Sequence, residues 1–272
     1  MIFAGRTAIV TGAGQGIGRA ICHALAAEGM RIVVSDLNAD LAQKVATEIG
    51  GLSVTCDVSD PGQIERLIGQ ARAAFGRIDL FCSNAGFAAG EPDGAMSASD
   101  DQWQASWDVH VMAHVRACRL VLPEMIARGE GCLVNIASAA GLLSQIGDAA
   151  YSASKHAAVS VAQSLAITHG DQGIQVSVVC PLYVATPLLG YDDDSPEGMP
   201  NSRVLRPQEV ARALVEGLQQ GRFLILPHPE AQTFAQRRAT DMDRWIAGMR
   251  ALRRTALKEG AEASLRDLHR LI

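Results

Sequence analysis

Short runs of apolar residues alternate with longer amphipathic stretches along most of the chain. Thr7–Thr11 (TAIVT) is an unbroken run of strand length, and residues 16–28 after it place apolar side chains at helical spacing. The rhythm repeats. A strand is expected at Arg31–Asp36 (RIVVSD), a helix over 37–49 and a strand over 52–58. A helix follows from Asp60 and Pro61 to about Phe75, with further strands at 78–83, 131–138, 175–180 and 223–226. Asp60 is a good N-cap, and Pro61 suits the first helical position. Strands made of continuous Val, Ile and Leu are buried on both faces, and a helix after each makes them parallel. Right-handed crossovers then give a doubly wound α/β sheet between two helical layers.

Two stretches break the rhythm: residues 87–101, rich in Ala, Gly and Asp, and residues 187–207, which read as a lid. Neither has the character of a linker. The pattern therefore predicts one catalytic domain over 1–228, with 229–272 as a helical C-terminal extension.

Composition narrows the function. Of 272 residues, 48% are hydrophobic and 19% charged, enough for a large core and unlike a disordered chain. A net charge of −5 argues against nucleic-acid binding. No apolar stretch approaches the roughly 20 residues of a membrane span, and the N-terminus has no signal-peptide pattern. A cytoplasmic protein is expected. The 6 cysteines are scattered without a Cys-x-x-Cys pair, which predicts small core hydrophobes and no metal site.

The first strand runs into Thr11-Gly12-Ala13-Gly14-Gln15-Gly16-Ile17-Gly18. Between a strand and a helix, such a turn lets backbone approach an anion, and the helix N-terminus attracts it. A dinucleotide pyrophosphate fits this position, with the key spacing Gly12, Gly16, Gly18. Asp36 closes the second strand, where a carboxylate accepts hydrogen bonds from ribose hydroxyls and repels a 2′-phosphate. NAD is expected over NADP.

Ser138 is expected to end the fifth strand, and Tyr151-Ser152-Ala153-Ser154-Lys155 begins thirteen residues later. On a helix, Tyr151 and Lys155 stand one turn apart on one face. A phenol titrates near pH 10, and a nearby ammonium favours its ionised form. The pair is a candidate general acid/base, with the Ser138 hydroxyl free to bind the substrate oxygen.

With these motifs in order, the chain resembles the short-chain dehydrogenase/reductase family over about residues 3–226. The carrying residues are TGAGQGIG at 11–18, Asp57-Val58, Asn84-Ala85-Gly86, Ser138, YSASK at 151–155 and PLYVAT at 181–186. The resemblance implies a Rossmann-type sheet of seven strands and an NAD(P)-dependent oxidoreductase. It implies that Gly12, Gln15, Gly16, Ile17 and Gly18 receive the pyrophosphate and Asp36 the adenosine ribose. Asp57 and Val58 then flank adenine, and Asn84, Ala85 and Gly86 support cofactor and sheet. Tyr151 is the acid/base, Lys155 holds the nicotinamide ribose and acidifies the phenol, and Ser138 positions substrate. Pro181, Val184 and Thr186 border the nicotinamide.

The chain departs from the family pattern at three places. His110 occupies the position of a catalytic Asn that holds a proton-relay water. Imidazole can also relay protons, so His110 is read as keeping the relay or as a structural histidine. Leu182 stands where many members carry Gly, and Ser83 where Asn is commoner.

Leu142, Leu143, Ile146, Phe87, Tyr183 and Leu188 are expected to wall an apolar substrate pocket, with Gln145 as polar reader. A medium-sized, largely apolar secondary alcohol or ketone follows. The run Tyr191–Asp194 reads as a solvated part of the lid. Beyond Pro229 the chain has 9 Lys and Arg against 6 Asp and Glu. Phe234, Trp245, Ile246, Met249 and Leu252 recur there at helical spacing, predicting an amphipathic helix docked on the domain or on a neighbouring subunit. The helix from Tyr151 to about His169 is nearly uncharged, and in the family it lies at a subunit interface. A homo-oligomer, tetramer or dimer, is expected. The competing reading is a nucleotide-sensing scaffold on the same fold, which the intact Ser138, Tyr151 and Lys155 set disfavours.

Overall fold

A computed structural model describes residues 3–91, 93–192 and 203–258. Seven parallel strands form one sheet: β1 (Thr7–Thr11), β2 (Arg31–Asp36), β3 (Leu52–Thr55), β4 (Leu80–Ser83), β5 (Gly131–Ile136), β6 (Ile174–Val179) and β7 (Leu224–Ile225). Their spatial order is β3-β2-β1-β4-β5-β6-β7. The chain winds outward from β1, returns to the centre at β4 and winds outward the other way. A crevice opens at the strands' C-terminal ends where the direction reverses, between β1 and β4.

Ten helices accompany the sheet among the described residues: α1 (Gly16–Ala27), α2 (Ala39–Ile49), α3 (Pro61–Phe75), α4 (Asp100–Trp107), α5 (Ala113–Ala127), α6 (Ala140–Leu143), α7 (Ala149–His169), α8 (Pro207–Gln219), α9 (Glu230–Thr240) and α10 (Met242–Lys258). Side chains alternate across a strand, so each strand feeds both layers. Ala8, Val10, Ile32, Val34 and Val134 pack with Ile21 and Leu25 of α1 and Leu214 of α8. Ile9, Val33, Phe81 and Leu133 pack with Ile64 and Leu67 of α3, Val121 and Met125 of α5 and Ala162 of α7. All six cysteines are free and buried. No described helix is long and apolar enough to cross a membrane.

β1 and β2 match their expected bounds, whereas β3 and β5 stop sooner. Pairing in β3 ends at Thr55, and Cys56–Val58 run on beside the crevice. Pairing in β5 ends at Ile136, two residues before Ser138, so Ser138 belongs to the loop beyond the strand. The expected lid is described only to Asp192 and from Arg203. Pro187–Leu189 make a short 3-10 turn, and Asp193 and Asp194 lie outside the described residues.

Candidate active site

The glycine turn is held to the segment after β4 through the side chains of Asn84 and Thr11. The Asn84 side-chain amide donates to Thr11 O at 2.9 Å and Gly12 O at 2.8 Å. The Thr11 hydroxyl accepts from Asn84 N at 3.1 Å and Ala85 N at 3.2 Å. The turn consequently runs too close to β4 for side chains. A Cβ on Gly12, whose φ is +59°, would lie 2.6 Å from Ala85 Cα, and one on Gly18 2.2 Å from Gly12 O. Glycine is needed at Gly18 for this packing, and Gly18 itself does not line the crevice. The first turn of α1 has neither a side-chain cap nor an acidic residue. An uncapped helix start beside a glycine cradle is the local chemistry of an anion site.

The crevice has a volume of about 600 Å³ and extends from Asp36 to Tyr151 and beyond. Gly12, Gln15, Gly16, Ile17, Asp57, Val58, Asn84, Ala85, Gly86, Ser138, Lys155, Pro181, Val184 and Thr186 also line it. The Asp36 carboxylate is fixed by two backbone donors, Gly14 N and Asn38 N, each at 2.9 Å. Gly14 is required there as well, since a Cβ would meet the carboxylate at 3.0 Å. The Asp57 carboxylate accepts from Ser59 N at 2.8 Å and its hydroxyl at 2.7 Å, which holds the adjoining wall.

At the other end, α7 supplies Tyr151 and Lys155. Asp148 caps the helix by accepting from Tyr151 N at 2.9 Å, and Glu91 accepts from Ala149 N at 2.6 Å. Asp148 also accepts from Gly90 N at 3.0 Å, so the two buried carboxylates tie the loop after β4 to the start of α7. Burial, with the neighbouring Asp148, pushes the Glu91 carboxyl up. Neither acid is evident from the sequence, because an isolated carboxylate in an Ala/Gly loop has no periodic signal.

Tyr151 and Lys155 do share a face, as the i,i+4 spacing requires. The Lys155 ammonium stands 5.5 Å from the Tyr151 ring centre and donates to Ile136 O at 3.0 Å. Burial pushes the phenol up to about 12, and the hydrogen bond from Ser138 acts to lower it. Burial pushes Lys155 down to about 8. In the protein alone, the lowering influence on the phenol is therefore Ser138 rather than the ammonium.

His110 lies in a wide π-helical turn, Asp108–Met112, joining α4 to α5. It is buried and does not line the crevice. Nε2 accepts from Phe87 N at 3.2 Å, so the ring proton sits on Nδ1, 2.8 Å from Ser154 Oγ. Ser154 Oγ in turn donates to Tyr151 O at 2.9 Å. Both ring nitrogens are thus engaged, and the ring meets Tyr151 edge-on with centres 5.4 Å apart. Burial, with the Lys155 charge, pushes His110 down to about 2. This arrangement suits a neutral brace beneath Tyr151. One turn on, His114 is buried against Ser83 Oγ at 3.0 Å and pushed down to about 4 by burial.

These two histidines make the fold acid-sensitive. An unfolded chain protonates them near pH 6.5, whereas the folded one does not. Stability is complete above that pH and falls as pH drops, by about 1.4 kcal/mol per pH unit per histidine. The His114 contribution ends near pH 4 and that of His110 near pH 2. Thermal midpoints of wild type and His110→Asn, compared from pH 7 to pH 4, should converge on acidification. Parallel curves would show that His110 is not held neutral.

The expected substrate wall is present in part. Phe87, Leu143, Gln145, Tyr183 and Leu188 line the crevice. Leu142 instead packs against the core, and Ile146 does not line the crevice. Gln145 is engaged by the Tyr183 phenol and by Ile146 O, so its amide is not an idle reader. The tail folds over its own domain: Phe234 of α9 and Trp245, Met249 and Leu252 of α10 close the crevice. Ile246 falls off that stripe and is 48% exposed. His228 was not evident from the sequence. It accepts from Leu182 N at 3.1 Å and donates to Tyr183 O and Arg203 O, both at 3.1 Å, which joins both ends of the lid to the base of α9.

Comparison with known proteins agrees with this architecture. The family model described as short chain dehydrogenase matches residues 6–196. The chain is 35% identical to D-threitol dehydrogenase of Mycolicibacterium smegmatis, covering 78% of this chain and 85% of that protein. It is 32% identical to cyclohexanol dehydrogenase of an Acinetobacter species, covering 78% and 87%. A short chain dehydrogenase/reductase from Burkholderia phymatum, solved in complex with NAD, superposes with a TM-score of 0.79 at 30% identity, covering 89% of this chain and 96% of that one. A seven-stranded Rossmann-type sheet, a glycine turn pinned by Asn84 and the Ser138, Tyr151 and Lys155 cluster are thus joined by a match across most of the chain, which belongs to the short-chain dehydrogenase family.

Proposed function

We propose that the protein is an NAD-preferring oxidoreductase that interconverts a largely apolar secondary alcohol and its ketone, with Tyr151 as general acid/base. The observation that carries this reading is the single crevice joining the Asp36 carboxylate and glycine cradle at one end to Ser138, Tyr151 and Lys155 at the other.

The residues fit a nicotinamide dinucleotide. Gly12, Gln15, Gly16, Ile17 and the start of α1 would hold its pyrophosphate, and Asp36 the adenosine ribose. Asp57 and Val58 would border adenine, with Asn84, Ala85, Gly86, Pro181, Val184 and Thr186 around the nicotinamide half. When bound, the nicotinamide accepts or returns the hydride. Ser138 holds the substrate oxygen as its charge changes, and the Tyr151 hydroxyl takes its proton in oxidation or gives it back in reduction. Lys155 holds positive charge beside the phenol, which favours the ionised form once substrate and cofactor exclude water. His110 serves as a positioning residue through Ser154 and the Tyr151 carbonyl.

An NADH-fluorescence screen across secondary alcohols and ketones tests the reading, with Tyr151→Phe as control. Tight NADH binding with no turnover of any of them would favour a nucleotide-sensing role instead.

Self-association belongs to the same reading. Ile167 of α7 is 84% exposed, and Val115, Leu122 and Ile126 of α5 face Val161 and Leu165 of α7 across a shallow apolar groove. This surface supports pairing with a second copy, as a dimer or within a tetramer. Sedimentation of the purified chain should give a multiple of the 28.8 kDa protomer mass, and a monomer at micromolar concentration would contradict it.

A further inference from the structure

α9 and α10 form a helical pair over the end of the crevice away from Asp36. α9 packs on α6, the segment that follows Ser138. In α10, Trp245, Met249, Leu252 and Ala256 fall at i, i+4, i+7 and i+11, one face of a helix. The first three of these line the crevice, and Ala256 is fully buried. Phe234 of α9 completes an apolar roof. Arg237 stands one turn beyond Phe234, exposed at the rim and also lining the crevice.

The charges along the crevice are unevenly placed. Asp36 and Asp57 sit at the dinucleotide end, and Lys155 lies buried between the ends. Arg203, Glu230 and Arg237 occupy the roofed end. Arg203 has an interaction of its own. Glu230 starts α9, two turns from Arg237 and so about 10 Å away along the axis. Among the described residues Arg237 forms no ion pair. A guanidinium is a planar fork suited to two parallel hydrogen bonds with an oxyanion, and apolar neighbours strengthen such a pair.

We infer that Arg237 is a specificity-determining residue, and that the substrate is an apolar hydroxy or oxo compound ending in an oxyanion, a carboxylate in the simplest case. The apolar body lies under Phe234, Trp245, Met249 and Leu252, and the anion meets Arg237 at the rim. This inference rests on the oxidoreductase reading for the reacting end of the substrate, but binding at the roofed end is measurable without turnover.

The test titrates NADH-loaded enzyme with octanoate and with octanamide, a neutral probe of the same shape. Binding is read as tryptophan fluorescence, taken as the difference between wild type and Trp245→Phe. Octanoate should bind about tenfold more tightly than octanamide, the scale of one charge-assisted contact at an exposed rim. Arg237→Gln should abolish that ratio while leaving octanamide binding unchanged, and Arg237→Lys should keep part of it. Equal binding of the two probes, a ratio that survives Arg237→Gln, or no binding of either would overturn the inference. If the octanoate preference stands while no alcohol or ketone is turned over, the oxidoreductase reading fails and the anion site remains.

Discussion

Tyr151→Phe will lower kcat by about a thousandfold while dinucleotide affinity stays near that of wild type. The substitution removes one oxygen from a side chain that is 8% exposed and leaves the ring contact with His110 in place. Its structural cost is the hydrogen bond with Ser138. Its chemical cost is the group that exchanges the proton, and positioned acid/base groups are worth roughly 10² to 10⁴ in rate. The direction of the pH effect follows from the phenol lying high, at about 12, in the protein alone. Alcohol oxidation needs the ionised form, so its kcat/KM should climb with pH in wild type. That limb should vanish in the variant. Turnover by Tyr151→Phe within tenfold of wild type, with the limb retained, would remove Tyr151 from the chemistry.

The next largest effect is on cofactor choice. Asp36→Asn will shift the ratio of kcat/KM for NAD over NADP by about a hundredfold toward NADP. The carboxylate is fixed by Gly14 N and Asn38 N with its charge facing the crevice. Two effects add: weaker acceptance from ribose hydroxyls, about 1.5–3 kcal/mol for a charged hydrogen bond, and relief of repulsion against a 2′-phosphate. Among the described residues, no Lys or Arg lines the crevice near Asp36 to welcome that phosphate. Adding one, as Asp36→Asn with Leu37→Arg, should carry the shift further. An unchanged ratio, or a wild type that already prefers NADP, would overturn the reading of Asp36.

The sequence made the sheet legible because strand length and apolar continuity are local properties. Thr7–Thr11 lies between Gly5 and Gly12, and Gly29 marks the start of Arg31–Asp36. Where an extended chain outlives its pairing, the pattern overruns: after Cys56 N donates to Asp36 O, Asp57 and Val58 continue without a partner strand. Whether backbone groups find a neighbour is a tertiary matter. The same holds for the tail. Its amphipathic stripe is legible but the surface it meets is not, and Ile246 fits the apolar pattern while lying off the docked face. Glu91, Asp148 and His228 act as single residues that bridge distant loops, and a single residue has no periodicity to detect. His110 was visible only as a departure from a motif. The account of its ring nitrogens needed the positions of Phe87 and Ser154.

The two far ends of the crevice are supplied by separate stretches of chain, with Ser138, Tyr151 and Lys155 between them. Asp36, Asp57 and the glycine turn come from the first third of the chain, whereas the roof comes from Phe234 onward. A chimaera that keeps the first 228 residues and grafts the two terminal helices of a homologue should therefore keep its redox carrier while its range of alcohols changes only in what reaches the roof. Nature can diversify such an enzyme by editing one end of the gene without disturbing the half that recognises the nucleotide.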